Sequence, residues 1–301
     1  MRYVTQIAGI LMLLATADIA GAQPAKKEAL FQSAVLTDPG SFTSGVEGPS
    51  VDKQGNVYAV NYGKQGTIGV VTPSGKASVF ITLPEGSIAN GSRINTKGEM
   101  FLADYTGHNV YRVNIKTKEI SVLAHAPQMT QPNDLAIDSK GRVYASDPNF
   151  KENKGRFWRV DAGGEVTLLD SLGPANGIEV SPDEKTLYIG EGRSVWSYRL
   201  QEDGSVSDKK LLVAFPDFGT DGIRCDVEGN LYVARIGKGV IAKVSPQGEL
   251  VQEIKLIGQK PTNVAFGGKD GRTMYVTLMD KGNIEYFRVD KPGREWKMLK
   301  K

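Results

Sequence analysis

The sequence predicts an all-β fold, a six-bladed β-propeller with four antiparallel strands in each blade and an N-terminal strand that closes the ring. The first observation behind this prediction is a period, because six short polar strings recur at spacings of 43, 43, 43, 45 and 42 residues. The strings are Glu47-Gly48, Asn90-Gly91, Asn133-Asp134, Asn176-Gly177, Asp221-Gly222 and Asn263-Val264. The second observation is that each string is followed by an apolar strand, a turn and another strand. A period of about 40 to 45 residues with such strand signals is typical of propeller blades.

The turns inside the repeats have a constant position. In the first repeat, Asp52 comes five residues after Glu47, and Gly55 comes eight residues after it. Strings of the same kind, at the same offset, begin at Asn95, Asp138 and Asp226. In such turns the Asp or Asn side chain bonds the local backbone, and Gly adopts a positive φ. The strings therefore predict β-hairpins. Alternating segments after them predict a third and a fourth strand, with no helix longer than a turn or two.

The first 22 residues have the pattern of a signal peptide. Arg2 supplies a positive charge, residues 7–17 are apolar, and Ala20-Gly21-Ala22 matches a cleavage signal. We therefore expect residues 23–301 to form a single propeller domain that is exported to a periplasm or to the medium, without a membrane segment after cleavage. An uncleaved anchor is the alternative interpretation.

Residues 29–36 predict a strand that precedes the first repeat. An open propeller would leave backbone groups unpaired at its edges. We therefore expect this strand to join the last blade, beside the strands near residues 283–290.

Composition excludes several classes of function. The net charge of the 301-residue chain is only +3, with basic and acidic residues interspersed, which argues against a nucleic-acid partner. A single cysteine, Cys225, cannot form an intramolecular disulfide. With two histidines and one cysteine, a zinc site with nitrogen or sulfur ligands is excluded as well.

The six strings predict a site on the propeller axis. Equivalent positions of all blades point at this axis, so six oxygen-bearing side chains should meet there; we call Glu47, Asn90, Asn133, Asn176, Asp221 and Asn263 the ring positions. Two carboxylates and several amide oxygens, without nitrogen or sulfur, are typical ligands of a hard cation such as Ca²⁺ or Mg²⁺. The alternative is that each Asn only makes a turn where a strand begins.

A second set of polar residues is expected to border the ring positions. The chain returns to the same end of the channel fourteen residues after each ring position. There it carries Asp104, Asp147 and Arg235, together with Asn61, Gly190 followed by Glu191, and Thr277. Functional loops often gather at one end of a rigid scaffold.

At these residues the sequence resembles the family of senescence marker protein 30, gluconolactonase and luciferin-regenerating enzyme, with diisopropyl fluorophosphatase as a more distant relative. The matching strings are Glu47-Gly48-Pro49, Pro132-Asn133-Asp134, Ala175-Asn176-Gly177 with Ser181-Pro182-Asp183, and Asp221-Gly222-Ile223. The string from Val143 to Pro148 resembles the bacterial gluconolactonase branch. The resemblance extends from about residue 46 to about residue 243 and is weaker in the last blade.

The resemblance implies a set of site residues. The metal ligands would be Glu47, Asn133, Asn176 and Asp221, and Asn90 and Asn263 would be channel residues that contact substrate or water. We expect Ca²⁺, with Mg²⁺ or another divalent cation as the alternative. Two positions depart from the family pattern and bear on the substrate: Gln131 replaces the Arg of the animal sugar lactonases, and Leu135 replaces the usual Gly.

The leading hypothesis is a calcium-dependent lactonase that acts on a small, sugar-type lactone. The resemblance points to Asp221 as base or nucleophile, but a carboxylate that binds a dication is a poorer base. Asp147 or Asp104 would then serve instead, and Asp104 is also expected to contact the substrate. Arg235 would hold the substrate or form a salt bridge with either aspartate. The alternatives are a metal-dependent hydrolase of phosphotriesters and a non-catalytic exported propeller with a structural cation.

Overall fold

Six four-stranded antiparallel sheets surround a central channel in the computed structural model, which describes residues 28–300. The predicted six-bladed β-propeller is therefore confirmed. The signal peptide predicted at residues 1–22 lies outside the described residues. Within the described part, no helix is long and apolar enough to cross a membrane.

The strands follow the period of the sequence. Blade 1 contains β2 (Ser50–Val51), β3 (Val57–Val60), β4 (Thr67–Val71) and β5 (Ala77–Thr82). Blade 2 contains β6 (Ala89–Ile94), β7 (Glu99–Asp104), β8 (Asn109–Asn114) and β9 (Ile120–His125). Blade 3 contains β10 (Leu135–Ile137), β11 (Val143–Asn149), β12 (Lys154–Val160) and β13 (Val166–Leu172).

The second half of the ring repeats this arrangement. Blade 4 contains β14 (Ala175–Val180), β15 (Thr186–Glu191), β16 (Ser194–Leu200) and β17 (Val206–Ala214). Blade 5 contains β18 (Ile223–Cys225), β19 (Leu231–Arg235), β20 (Val240–Val244) and β21 (Leu250–Lys255). Blade 6 contains β22 (Pro261–Gly267), β23 (Thr273–Leu278), β24 (Asn283–Arg288) and the N-terminal β1 (Ala34–Val35).

The N-terminal strand closes the ring, as predicted. It pairs antiparallel with β24, where Ala34 lies opposite Tyr286, and forms the outermost strand of blade 6. The strand covers two residues rather than the predicted 29–36. Phe31 explains the difference, because its φ of +60° interrupts the extended conformation before the strand begins.

The predicted hairpin turns are confirmed. In blade 1 the Asp52 Oδ1 accepts hydrogen bonds from the backbone N–H groups of Gln54 (2.9 Å) and Asn56 (2.8 Å), and Gly55 has a φ of +87°. The Asp138 and Asp226 side chains make the same contacts in blades 3 and 5. These turns lie at the end of the channel that we call the distal face. The ring positions begin the inner strands at the opposite end, the ring face.

The apolar core lies between neighbouring blades. One cluster joins Phe101 and Val110 of blade 2 to Leu135 and Trp158 of blade 3, and similar clusters connect the other blades. Each sheet therefore buries both faces against its neighbours, which fixes the inner strands around the channel.

A short C-terminal helix covers the distal end of the channel. Helix α1 (Arg294–Leu299) has six residues, within the limit of one or two turns expected from the sequence. Trp296 attaches it to blade 6, because the indole N–H donates to the carbonyl of Gly268 (3.0 Å) and the ring packs on Gly271. A Cβ at Gly271 would lie 2.5 Å from the ring, so a larger residue would displace the helix.

A candidate cation site in the central channel

Glycines after the ring positions allow neighbouring blades to approach one another. A Cβ at Gly48 would lie 2.2 Å from the carbonyl oxygen of Asn90, and one at Gly91 would lie 2.5 Å from that of Asn133. Gly177 and Gly222 have similar contacts with the next ring positions, Asp221 and Asn263. The strings found in the sequence therefore have a packing role in addition to any role of their polar side chains.

Polar contacts connect the ring positions around the channel. The Asn263 Nδ2 donates to the Glu47 Oε2 (2.9 Å), so the last blade contacts the first one. The Asn90 Nδ2 lies 3.5 Å from the carbonyl oxygen of Asn133. The Asn263 Oδ1 accepts from its neighbour Val264 (2.9 Å), and the residue is fully buried. Asn263 therefore orients the carboxylate of Glu47.

Two amide oxygens on the ring have no hydrogen-bond partner within residues 28–300. The Oδ1 atoms of Asn133 and Asn176 are inaccessible to solvent and accept no hydrogen bond from this part of the chain. Buried polar atoms are nearly always paired, so each orphaned oxygen requires an explanation. Both belong to ring positions, as do the buried carboxylates of Glu47 and Asp221. These four oxygen donors fit a hard divalent cation.

Both ring carboxylates have a raised proton affinity, chiefly because they are buried. Burial raises the pKa of Glu47 to about 7, and the nearby charge of Asp134 adds to the shift. Burial, followed by the charge of Glu47, raises the pKa of Asp221 well above its ordinary value. Among residues 28–300, no group of three or more His, Cys, Asp and Glu side chains has a geometry that could hold a metal. A cation on this ring would therefore need the Asn oxygens as well as the two acids.

Asp104 lies at the ring face, fourteen residues after Asn90. Its carboxylate is fully buried and accepts from the Ile88 N–H (3.1 Å), the Gly107 N–H (3.1 Å) and the Ser87 Oγ (2.9 Å). These donors belong to the loops on either side of it, so the side chain connects the return strand to the loop that leads to Asn90.

Asp147 has the corresponding position in blade 3. Its Oδ1 accepts from the N–H groups of Thr130 (2.6 Å) and Gln131 (2.7 Å), and its Oδ2 accepts from the indole of Trp158 (3.0 Å). Arg156 adds an ion pair at 3.1 Å. The buried carboxylate is thus bound by four donor groups of the chain itself.

Arg235 is the corresponding residue of blade 5. Its Nη2 donates to the Asp217 carbonyl (2.5 Å), to the Asp217 carboxylate (2.9 Å) and to the Phe218 carbonyl (3.2 Å). The expected salt bridge with Asp104 or Asp147 is wrong, because the arginine pairs with an acid of the loop in front of its own blade.

The same arrangement recurs elsewhere in the ring. In blade 1 the Asn61 Nδ2 donates to the Gly45 carbonyl (2.7 Å), and in blade 4 the Glu191 Oε1 accepts from the Gly173 N–H (2.7 Å). Polar side chains of the returning strands thus hold the loops that lead to the ring positions. These contacts favour a structural role for Asp104, Asp147 and Arg235. Catalysis by Asp147 and substrate binding by Asp104 and Arg235 stay predictions.

The distal half of the channel contains buried charges that the sequence analysis missed. Arg93, Glu179 and Arg224 each lie three residues after a ring position, and all three are buried. Asp134, which stands where four of the other five strings have glycine, pairs with Arg93 (3.1 Å) and Arg224 (3.2 Å). Although burial opposes the change, the two arginines lower the pKa of Asp134. The same repeat that predicted the ring positions would also have indicated these residues, because the position three residues after a ring position is equivalent in every blade.

Helix α1 completes this set of charges. Its Glu295 lies 2.7 Å from the Arg93 Nε and 3.6 Å from the Arg224 Nε. Its Arg294 donates to the carbonyl of Ile137 (3.1 Å) and lies 3.5 Å from Glu179. Burial, followed by the charge of Glu295, raises the pKa of Glu179 to about 7. The helix therefore closes the distal end with side chains that pair with the channel wall.

Comparison with known proteins places these features in a family. The model of the SMP-30/Gluconolactonase/LRE-like region matches residues 45–280. The chain is 27% identical over 270 residues to a gluconolactonase of Zymomonas mobilis, with 77% of this chain and 75% of the relative covered. It is 29% identical over 199 residues to a pentonolactonase of Haloferax volcanii, with 64% and 68% covered.

A solved structure supports the same fold. The calcium-binding protein regucalcin of Agrobacterium tumefaciens superimposes with a TM-score of 0.75 at 20% identity, covering 87% of this chain and 97% of that one. The family model spans all six ring positions, from Glu47 to Asn263. On these grounds, the chain belongs to the SMP-30/gluconolactonase/LRE-like family.

Proposed function

We propose that this protein is a hydrolase of small, sugar-type lactones that uses a divalent cation held by Glu47, Asn133, Asn176 and Asp221. The observation that carries the proposal is the pair of buried amide oxygens without donors, on the same ring as two buried acids. The lactonases among the relatives support the reaction type. The calcium-binding regucalcin supports Ca²⁺ as the cation, with Mg²⁺ as the alternative.

The cation would supply the electrophilic part of the chemistry. When bound, it would polarise the ester carbonyl and stabilise the negative charge that develops as water attacks. The chain would supply orientation. Asn263 holds the Glu47 carboxylate by its Nδ2, and the backbone N–H of Asp221 is fixed by the carbonyl of Ala234 (2.9 Å). Because these groups lie in inner strands or in the two or three residues before them, their positions are set before any substrate binds.

We assign the orientation of the attacking water to Asp221. This carboxylate lies on the ring itself, whereas Asp147 is enclosed by four donors of its own blade. Asp147 would then act by holding residues 130–131, just before Asn133. Asn90, which is partly exposed on the ring, is the remaining candidate for a polar contact with the substrate.

Metal analysis combined with a lactone assay tests the proposal. The purified protein should hold one divalent cation per chain and hydrolyse gluconolactone, as measured by pH-stat titration. Chelation should abolish hydrolysis, and Ca²⁺ or Mg²⁺ should restore it. Full activity after complete removal of the metal would disprove the metal-dependent mechanism.

A matched pair of variants tests the ligand set. Asn133→Ala removes one of the two orphaned oxygens, so the affinity for the cation should fall by at least tenfold, on the scale of about 1.4 kcal/mol. Asn90→Ala removes the same side chain from another ring position and should leave the affinity unchanged. Calorimetric titration of the chelated proteins would measure both values, and equal affinities would contradict the assignment.

The two alternative functions predict other outcomes of the same assays. A phosphotriesterase would hydrolyse an organophosphate in preference to gluconolactone. A non-catalytic propeller would lose thermal stability on chelation but would hydrolyse no lactone.

We also propose that the N-terminal 22 residues direct export of the protein. N-terminal sequencing of the mature protein, with Gln23 as the expected first residue, would test this proposal.

A further inference from the structure

The exposed large apolar side chains fall into two groups. Of the ten among residues 28–300, seven lie on the outermost strands of the blades, where one face is in solvent: Val35, Val79, Val122, Leu168, Leu211, Leu250 and Val251. The other three lie in loops of the ring face, between strands: Phe150, Phe218 and Ile257. Strand position explains the first group but not the second one.

Phe218 lies closest in sequence to the proposed cation site. It belongs to the loop between β17 and β18, three residues before Asp221. The inner strand begins directly after this loop, so the loop forms part of the wall at the ring face. The side chain of Phe218 is 49% exposed.

The backbone holds Phe218 in a rare conformation. Its φ is +35°, in the left-handed region that bulky residues seldom adopt. Residues kept in such conformations by the surrounding structure concentrate at ligand sites, so an observed outlier supports a functional hypothesis.

Arg235 maintains this conformation from the interior. The arginine is fully buried, and besides the carbonyl of Phe218 it binds those of Asp217 and Gly219. Its guanidinium lies 3.6 Å from the centre of the Phe215 ring, at the start of the same loop. Arg235 therefore contacts four of the five residues from Phe215 to Gly219, which leaves this loop little freedom to move.

The Phe218 ring rests on a glycine. A Cβ at Gly237 would lie 3.1 Å from the Phe218 Cδ1, closer than most real contacts, so the absence of a side chain there leaves room for the ring. The ring thus has backbone beneath it and solvent on its exposed side. An aromatic surface fixed in this way is preorganised to bind an apolar group.

We propose that Phe218 is a specificity-determining residue that contacts the apolar part of the lactone, and that Arg235 is its positioning residue. The substrate class would then include lactones with an alkyl substituent in addition to polyhydroxylated ones. This inference rests on the proposed lactonase function. It goes beyond that function because it names the group of the substrate that is recognised and the residue that recognises it.

Steady-state kinetics with two substrates test the inference. The wild type should prefer γ-nonalactone, which has a five-carbon chain, over the unsubstituted γ-butyrolactone. Phe218→Ala should raise KM for γ-nonalactone about tenfold, with kcat and the γ-butyrolactone values within about twofold of the wild type. Leu211→Ala, which removes a side chain of similar exposure (51%) from an outer strand, should keep the preference.

Arg235→Lys tests the positioning role. Lysine keeps the charge but lacks the planar fork that binds several carbonyls, so the variant should lose the same preference while Phe218 is still present. A role in stability alone would lower the melting temperature and leave the KM ratio unchanged, which would overturn the positioning claim.

The possible results separate the inference from the function on which it rests. If the wild type hydrolyses both lactones and Phe218→Ala keeps the wild-type ratio of kcat/KM values, the inference is overturned and the lactonase proposal stands. If the wild type hydrolyses no lactone, including gluconolactone, both are overturned.

Discussion

The two halves of the channel bury acids in opposite ways. In the distal half, Asp134, Glu179 and Glu295 are each paired with arginines, namely Arg93, Arg224 and Arg294. In the ring half, Glu47 and Asp221 are buried as well, but no Lys or Arg of residues 28–300 forms a salt bridge with either of them. Three acids face three arginines at one end, and two acids form no salt bridge with any described residue at the other.

The difference bears on the proposed cation site. A buried carboxylate is strongly destabilised unless a counter-charge compensates it. The distal half carries its own counter-charges and can serve as a closed structural plug. The ring half combines two buried carboxyl groups that form no salt bridge within residues 28–300 with two unpaired amide oxygens, which corresponds to the donors that a divalent cation would need.

The largest effect is expected from a break in the distal half. Arg224→Met should lower the free energy of unfolding by about 3–5 kcal/mol, because it leaves the buried Asp134 and the partly buried Glu295 with one arginine instead of two. Arg199→Met removes an exposed partner of Asp208 and should change it by less than about 0.5 kcal/mol. Urea denaturation of both variants would measure the contrast. Similar values for the two variants would show that the distal network does not stabilise the fold.

The ring half should respond to charge removal in the opposite direction. With chelator at pH 8, Asp221→Asn should raise the free energy of unfolding by about 1–2 kcal/mol, because it removes an acid whose ionisation is opposed in the folded protein by burial and by the charge of Glu47. With the cation at about 100 times its dissociation constant, the wild type should gain about 2.7 kcal/mol and the variant much less. The order of stability should therefore reverse between the two conditions. An order that stays the same would contradict the proposed site.

The contrast between the two halves was only partly predictable from the sequence. The period gave the number of blades and the ring positions, since both depend on repetition along the chain. The same register contains Arg93, Glu179 and Arg224, which an extension of the reasoning by three residues would have found. The orientation of Asp147 and Arg235 was not predictable, because the register fixes the end of a strand but not the loop atoms that the side chain binds.

Helix α1 was outside the reach of sequence reasoning for a different reason. A six-residue segment is too short to be helical by its own propensity, so its structure depends on tertiary contacts. The contacts of Glu295 with Arg93 and Arg224 join residues from three distant parts of the chain, and no local pattern indicates them. The structure therefore supplied the plug, whereas the sequence had already indicated the ring.

A pH dependence should distinguish Glu179 from the other acids of the distal half. Its pKa is raised from 4.5 to about 7, because burial and Glu295 outweigh Arg294 and Arg93. The unfolded chain releases this proton near pH 4.5 and the folded protein near 7, so rising pH between these values favours unfolding. Relative to Glu179→Gln, the wild type should lose about 2 kcal/mol between pH 5 and 7. Urea denaturation of both proteins in chelator would measure it, and a constant difference would mean that the arginines dominate.

The smallest effect is expected at the edge of the distal half. Glu295 is 18% exposed, so water competes with Arg93 and Arg224 for its carboxylate. Glu295→Gln keeps the shape of the side chain and should lower the free energy of unfolding by about 1 kcal/mol. Glu28 pairs with Arg272 and Arg288 at similar distances but is 42% exposed, so Glu28→Gln should have almost no effect. Glu295→Gln should lower the free energy of unfolding more than Glu28→Gln does, and Arg224→Met should lower it more than either. This order would mean that burial, rather than the number of ion pairs, determines how much the distal charges contribute to stability. Equal effects of Glu295→Gln and Glu28→Gln would mean that Trp296 and its apolar contacts hold helix α1 in place. The ion pairs of Glu295 would then make no measurable contribution to stability.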